Sequence, residues 1–206
     1  MTGQGRRPYR DASTVAAWAQ RLLWLQAGLS VLAIAFVWMR GFEPKETGQA
    51  EAALLIVQFL LFIVAAILAL RWIYLANANA RALGAQDMMV SPGWAVGWFF
   101  VPLMNLVMPY MMMRELWKAS AKPGDWQIEP SPAAILLWWI LWVACGVTGV
   151  IGLRMSLEPE LSEGVAAEFV FMLSDLCFVP ALLLFAWLIG RIQAMQSRAG
   201  PAEIFA

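Results

Sequence analysis

Of the 206 residues, 62% are hydrophobic and 14% charged, where soluble domains carry roughly 45–50% and 25%; the mean hydropathy is +0.68. Net charge is zero and histidine is absent, which excludes bulk attraction of nucleic acid and removes the commonest general base and metal ligand. The two cysteines, Cys145 and Cys177, sit inside apolar runs and imply no secreted disulfide framework.

Arg6, Arg7, Arg10 and Arg21 precede the first apolar run, residues 22–39. A signal peptide has a shorter apolar core and a small-residue cleavage site close behind it. Ala50-Glu51-Ala52 lies too far downstream for that role, so the run reads as an uncleaved anchor helix behind a short tail, residues 1–21. Crossing the hydrocarbon core takes about 20 apolar residues. Residues 52–75 form a second span, and its helix is expected to run on through Asn77 and Asn79 to a stop at Gly84. Residues 93–113 are apolar enough to span but carry Pro102, Asn105 and Pro109. Proline removes a backbone donor and bends a helix, and broken backbone at membrane depth must be shielded. A fifth span, a re-entrant hairpin and a kinked interfacial helix all fit. Residues 133–153 form a further span, with Ser131 the expected cap and Pro132 the first helical residue. Residues 169–190 form the last, although they carry Asp175 and Pro180; residues 191–206 follow as a tail.

Positive charge separates the topologies. With four spans and 93–113 returning to the side it left, Arg6, Arg7, Arg10, Arg21, Arg71, Arg81, Arg114, Lys118, Lys122, Arg191 and Arg198 share one side, 11 in all, against 3 (Arg40, Lys45, Arg154) on the other. If 93–113 spans, the division becomes 7 and 7. Lys and Arg are retained on the cytoplasmic face, so the four-span layout with both termini cytoplasmic is expected. The opposite loops are then acidic, with Glu43, Glu46, Glu51, Glu158, Glu160, Glu163 and Glu168. Trp18, Trp24, Trp72, Trp117, Trp126 and Trp187 gather near the inner interface, which indole rings favour. The expected fold class is an all-α membrane protein: a four-transmembrane-helix bundle with an additional proline-broken re-entrant or interfacial segment.

Residues 71–120 carry a composite motif. Arg71-Trp72-Ile73-Tyr74 leads to Asn77-Ala78-Asn79-Ala80-Arg81-Ala82-Leu83-Gly84, then Ser91-Pro92-Gly93-Trp94-Ala95-Val96-Gly97-Trp98, Val101-Pro102, Asn105-Leu106 and Pro109-Tyr110. Met113, Glu115, Trp117, Lys118, Ala119 and Ser120 close it. This run resembles domain-of-unknown-function family 4328, a group of bacterial multi-pass membrane proteins, over most of the chain from the second span onward. The resemblance implies a bacterial membrane location and a helical bundle, and the expected location is the inner membrane. It implies no activity, cofactor or catalytic residue.

The motif also has a physical reading. Ser91 can accept from free backbone donors and Pro92 fits a first helical turn. Gly93 and Gly97, one turn apart, would let a neighbouring helix approach closely. Pro102 and Asn105 fall where a hairpin would turn, with Pro109 beyond them. Lys122-Pro123-Gly124-Asp125 reads as a surface turn. Motifs built from Gly, Pro and Trp usually encode backbone shape.

Chemistry could reside at Asp175. A carboxylate at the bilayer centre costs roughly 2.5–3.5 kcal/mol and usually faces a partner or a water-filled cavity. Counted from the outer ends of their spans, Asp175, Gln58 and Thr148 have similar depth, so a polar cluster of these three is expected, either as an ion or proton site or as interhelical glue. Gly146, Gly149 and Gly152 recur at spacing three and read as a close-packing seam. Met104, Met108, Met111, Met112 and Met113 invite a soft-metal reading, but with no histidine nearby they read as adaptable apolar filler. No metal site, cofactor or catalytic group is expected: the chain has no Gly-x-Ser-x-Gly elbow, no P-loop, and no histidine for a triad or a zinc-protease helix. The expectation is a non-enzymatic, partner- or lipid-binding accessory protein. Its expected partners are membrane lipids and either a second copy or another membrane protein, with no nucleic acid. The alternative is a small transporter or channel subunit with an ion or proton site at Asp175.

Overall fold

The computed structural model describes residues 8–40, 49–158 and 165–204. The described residues are helical with short connections: α1 (Ser13–Arg40), α2 (Gln49–Ala82), α3 (Pro92–Gly97), α4 (Met108–Ala121), α5 (Ala133–Leu157) and α6 (Val165–Ile204). Four of these, α1, α2, α5 and α6, are long and apolar enough to cross a membrane. The protein is an all-α bundle of membrane-spanning type. Its helices outrun their apolar cores. α1 starts at Ser13, well before Leu22, and α6 passes Pro180 and Gly190 without a break. Hydropathy marks the part of a helix that suits lipid; hydrogen bonding carries the helix further.

Two ends of the bundle differ. The buried side chains concentrate where the start of α1, the end of α2, α4, the start of α5 and the second half of α6 meet: Ala12, Ala16, Ala19, Trp72, Ile73, Ala76, Ala80, Met112, Met113, Leu116, Ile135, Trp138, Leu182, Leu188, Ile189 and Ile192. Toward the other end, Leu54, Leu55, Ile56, Val57, Phe59 and Leu60 on α2 and Val147, Val150 and Ile151 on α5 face outward. An apolar surface of that extent is disfavoured in water and costs nothing against lipid tails. α6 is the axis of the bundle. It packs along α5 and α1 and also touches α2 and α4. On α1, Ala16, Ala19 and Ala27 are buried along one face, in line with Ala12 just before the helix; such small residues allow the close backbone approach that membrane helices use in place of a hydrophobic driving force.

The proline-rich stretch is no continuous helix. α3 is followed by two 3-10 turns, Trp98–Phe100 and Met104–Leu106, and the chain reverses between them before α4 begins. Leu103, at the reversal, has φ +64°. Pro102 precedes it, Asn105 donates its backbone N–H to the Val101 carbonyl at 2.9 Å, and Pro109 occupies the first turn of α4. The Trp139 indole donates to the Leu106 carbonyl at 2.9 Å. Trp139 lies six residues into α5, so the hairpin penetrates about 9 Å along that helix at 1.5 Å per residue. Midway along α4, the Arg114 guanidinium donates to Ser131 Oγ at 3.3 Å. The hairpin therefore leaves and rejoins the packed end.

Local signals divide into those the structure follows and those it replaces. α2 is closed off at Gly84 (φ +106°), two residues past its last helical residue, with Ala85 N–H donating to the Ala80 carbonyl and Gly84 N–H to the Arg81 carbonyl, both at 3.1 Å; this is the Schellman pattern. Ser91 Oγ accepts from Trp94 N–H, with Pro92 opening α3. Ser131, however, does not cap α5: Pro132 stands at that position and no side chain caps it, because Ser131 is engaged by Arg114. Gly97 does not receive a neighbouring helix. A Cβ there would meet the ring of Trp94, one turn earlier, at 3.1 Å, while Gly93 has open space. Lys122–Asp125 form an ion pair of 2.9 Å at the turn after α4. Arg6, Arg7, Lys45, Glu43, Glu46, Glu160 and Glu163 lie outside the described residues, as do the side chains of Arg40, Glu51 and Glu168.

Candidate functional site

The composite motif of residues 71–120 builds a polar junction at the packed end. Three elements supply it. Past its apolar half, α2 continues with Trp72, Asn77, Asn79 and Arg81; α4 brings Glu115 and Ser120; α6 brings Gln193 and Gln196. Asn77, Asn79, Glu115, Ser120, Gln193 and Gln196 are all buried, so each needs a partner.

Asn77 and Asn79 are two residues apart and point to different sides of α2. Asn79 grips the arm that precedes α1. Its Nδ2 donates to the Arg10 carbonyl at 2.7 Å and its Oδ1 accepts from Arg10 N–H at 2.9 Å. One amide carries both a donor and an acceptor, and here it satisfies both backbone groups of a single residue. On the other side, Arg81 Nη2 donates to the carbonyls of Met88 at 3.1 Å and Val90 at 2.9 Å, and its Nε reaches Asn77 Oδ1 at 3.4 Å. This ties down the loop between α2 and α3.

Glu115 holds the same loop from α4, accepting from Met89 N–H on Oε1. Burial pushes the Glu115 carboxyl above its ordinary range; the donating backbone N–H groups of Met89 and Val90 and the nearby Arg81 charge oppose that rise without cancelling it. Gln196 closes the junction from α6, its Nε2 donating at 2.8 Å to both the Ala76 carbonyl and Ser120 Oγ. One turn away, Gln193 Oε1 accepts from the Trp72 indole at 3.2 Å while its Nε2 donates to Ser197 Oγ at 3.0 Å. Among the described residues, Asn77 Nδ2, Glu115 Oε2 and Gln196 Oε1 are buried without a hydrogen-bond partner.

The junction fastens the surrounding backbone. Gln20 Nε2 donates to the Ala186 carbonyl at 3.2 Å over Gly190, where a Cβ would come within 2.6 Å of that same nitrogen. A Cβ at Gly200 would stand 3.0 Å from the ring of Tyr9 in the arm. The sequence displayed the motif but not its purpose. Glu115 and Gln196 lie outside the apolar cores of the spans, and only tertiary structure brings them to Met89 and Ala76.

At the opposite end, Phe62 of α2 stacks near Trp142 of α5 and Phe178 of α6. One turn further out from this aromatic layer come Gln58, Gly146 and Ser174. Gln58, Thr148 and Asp175 therefore lie within about a turn of one another in depth, each partly buried. Among the described residues, no hydrogen bond joins the three. The Thr148 hydroxyl turns onto its own helix, 2.8 Å from the Ala144 carbonyl and 3.1 Å from that of Cys145. The cross-helix bond at this level comes from Ser174, whose Oγ donates to the Cys145 carbonyl at 3.0 Å.

Gly149 and Gly152 face α6: added Cβ atoms would meet Ser174 Oγ at 3.4 Å and the Phe171 ring at 3.1 Å. Gly146 opens on free space. A spacing of three turns each glycine about 60° back around a helix of 3.6 residues per turn, so the series drifts off the seam. Met112 and Met113 are buried while Met104 and Met111 are exposed, and Cys145 and Cys177 are free thiols.

A family model described as a domain of unknown function (DUF4328) matches residues 43–194. The chain belongs to this family. No curated protein and no solved structure matches it. The DUF4328 match takes in α4 and Gln193 of the junction and stops just before Gln196.

Proposed function

We propose that this DUF4328 protein is a non-enzymatic accessory protein of a bacterial inner membrane, one that binds lipids or a membrane partner, with both termini in the cytoplasm. One observation supports this above the others: most polar side chains of the junction are spent on backbone. Asn79 holds Arg10, Arg81 holds Met88 and Val90, Glu115 holds Met89, and Gln196 holds Ala76. Groups so engaged frame a surface. The surface they frame is basic, with exposed Arg10, Arg21, Arg71, Lys122, Arg191 and Arg198. Arg21 and Arg191 lie over the rings of Trp18 and Trp187, a pairing suited to a membrane interface.

On this reading the Pro102–Asn105 turn is re-entrant from the cytoplasmic leaflet. A topology reporter fused after Lys122 then gives a cytoplasmic signal; a periplasmic signal refutes the layout. Purification of the full chain in mild detergent tests the accessory role, and reproducible recovery of one membrane partner supports it.

The competing reading is a small transporter or channel subunit with an ion or proton site at Asp175. It draws on the depth that Asp175 shares with Gln58 and Thr148, and on broken helices being common along transport paths. Proton flux in liposomes that is lost on Asp175→Asn would favour it. Equal flux with and without the carboxylate would dismiss it.

A further inference from the structure

The outward side of α2 forms one continuous stripe. Leu60, Val64 and Ile67 are exposed and apolar; Arg71, Tyr74 and Ala78 continue at the same helical positions. Steps of four and three residues keep all six on one face. The stripe runs from greasy to charged just where the bundle passes from its outward-facing apolar half to the polar junction. At its charged end lies a recess of about 180 Å³ between α2 and the arm, lined by Pro8, Arg10, Tyr74, Leu75, Ala78 and Asn79. A single water needs only about 10–15 Å³, so the recess admits a group of several heavy atoms.

Arg10 belongs to the wall of this recess by fixed geometry. Asn79 holds both its N–H and its carbonyl, which fixes the backbone from which the guanidinium projects. Among the described residues the guanidinium makes no ion pair. Arg71 stands three residues before Tyr74 on the same face and also makes no ion pair among the described residues. Two such guanidinium groups and a phenol above an apolar stripe match a phosphate with hydrocarbon attached: the guanidinium fork suits phosphate oxygens, and Leu60, Val64 and Ile67 offer the chains a track.

We propose that this recess is a binding site for the headgroup of an anionic phospholipid, with its phosphate at Arg10 and Arg71 and its acyl chains along Leu60–Val64–Ile67. The proposal deepens the reading of the chain as a lipid-facing membrane protein and rests on it. It differs from a diffuse basic rim, since it requires one place and one shape.

The test is native mass spectrometry of the full chain in detergent, titrated separately with phosphatidylglycerol, phosphatidylcholine and inorganic phosphate. Wild type takes up phosphatidylglycerol at about tenfold lower concentration than phosphatidylcholine, as expected for neighbouring cations near anionic lipid. Arg10→Glu abolishes that preference. Ala78→Trp, which fills the recess and leaves every charge in place, abolishes it as well. Lys122→Glu, an equal change of charge on another part of the same end, retains it. Thermal unfolding in detergent confirms that each variant is folded. Equal loss in Lys122→Glu, or an undiminished preference in a folded Ala78→Trp, overturns the site. Binding of inorganic phosphate as tight as that of phosphatidylglycerol overturns the lipid as its occupant. Recovery of a protein partner is read out separately, so the site can fail while the accessory role stands.

Discussion

Asn79 holds Arg10 through two hydrogen bonds, accepting from its N–H at 2.9 Å and donating to its carbonyl at 2.7 Å. A side chain on the second helix thus acts as the missing backbone partner of the arm before the first. Asn79→Ala removes both bonds and leaves partly buried backbone groups unmatched, at a cost of about 1–3 kcal/mol. Thermal unfolding in detergent should register that loss, and trypsin should cut after Arg10 sooner than in wild type. Unaltered cleavage would mean that the arm is held by other contacts.

Glu115 gives a pH-dependent prediction. Burial raises its carboxyl pKa above the value in an unfolded chain, so the folded state binds the proton more readily. Its contribution to stability is therefore fully present below the ordinary carboxylate pKa and fades as pH rises through the elevated one. Wild type should gain less stability than Glu115→Gln between mildly acidic and neutral pH. Glu115→Gln keeps an acceptor for Met89 N–H and should be at least as stable as wild type at neutral pH. Glu115→Ala lacks the acceptor and should be less stable at every pH. Parallel melting curves for wild type and Glu115→Gln across that range would contradict the assignment.

The glycines of α5 should separate by face. Gly152→Leu drives a side chain into Phe171, and overpacking of this kind costs about 1–3 kcal/mol. Gly146→Leu enters open space and replaces the weaker helix former, a change worth up to about 1 kcal/mol in favour of the variant. Melting temperatures in one detergent should fall for the first and hold or rise for the second.

These cases also show how far the sequence can be read. Apolar run length identifies four spanning helices because lipid imposes that length on any chain. Gly84 and Ser91-Pro92 mark helix ends because their signals are local, a left-handed backbone and a side-chain acceptor. Ser131 and Gly97 mislead for the same reason: each has a local reading as cap or contact point, and a non-local or intrahelical neighbour, Arg114 or the Trp94 ring, takes it up instead. Thr148 is a similar case at the candidate cluster. Depth could be counted along the helices, but the direction of the hydroxyl depends on the Ala144 and Cys145 carbonyls of its own turn. The polar junction was visible only as a motif, since Asn79, Glu115 and Gln196 acquire partners 69, 26 and 120 residues away in sequence.

Leu103 carries a final implication. It sits at the hairpin reversal with φ +64° and 78% of its surface uncovered, where glycine would relax the chain. Its ψ of −45° and the Met104 N–H donating to the Pro102 carbonyl at 2.8 Å make this a γ-turn, a sparsely populated backbone that costs on the order of 1–3 kcal/mol, and moving a leucine side chain out of water returns roughly 1.5–3 kcal/mol. The two nearly cancel only when hydrocarbon surrounds the tip. Under the proposed re-entrant layout the bilayer is a structural component of the turn, and stripping it away should loosen this corner before any helix lets go.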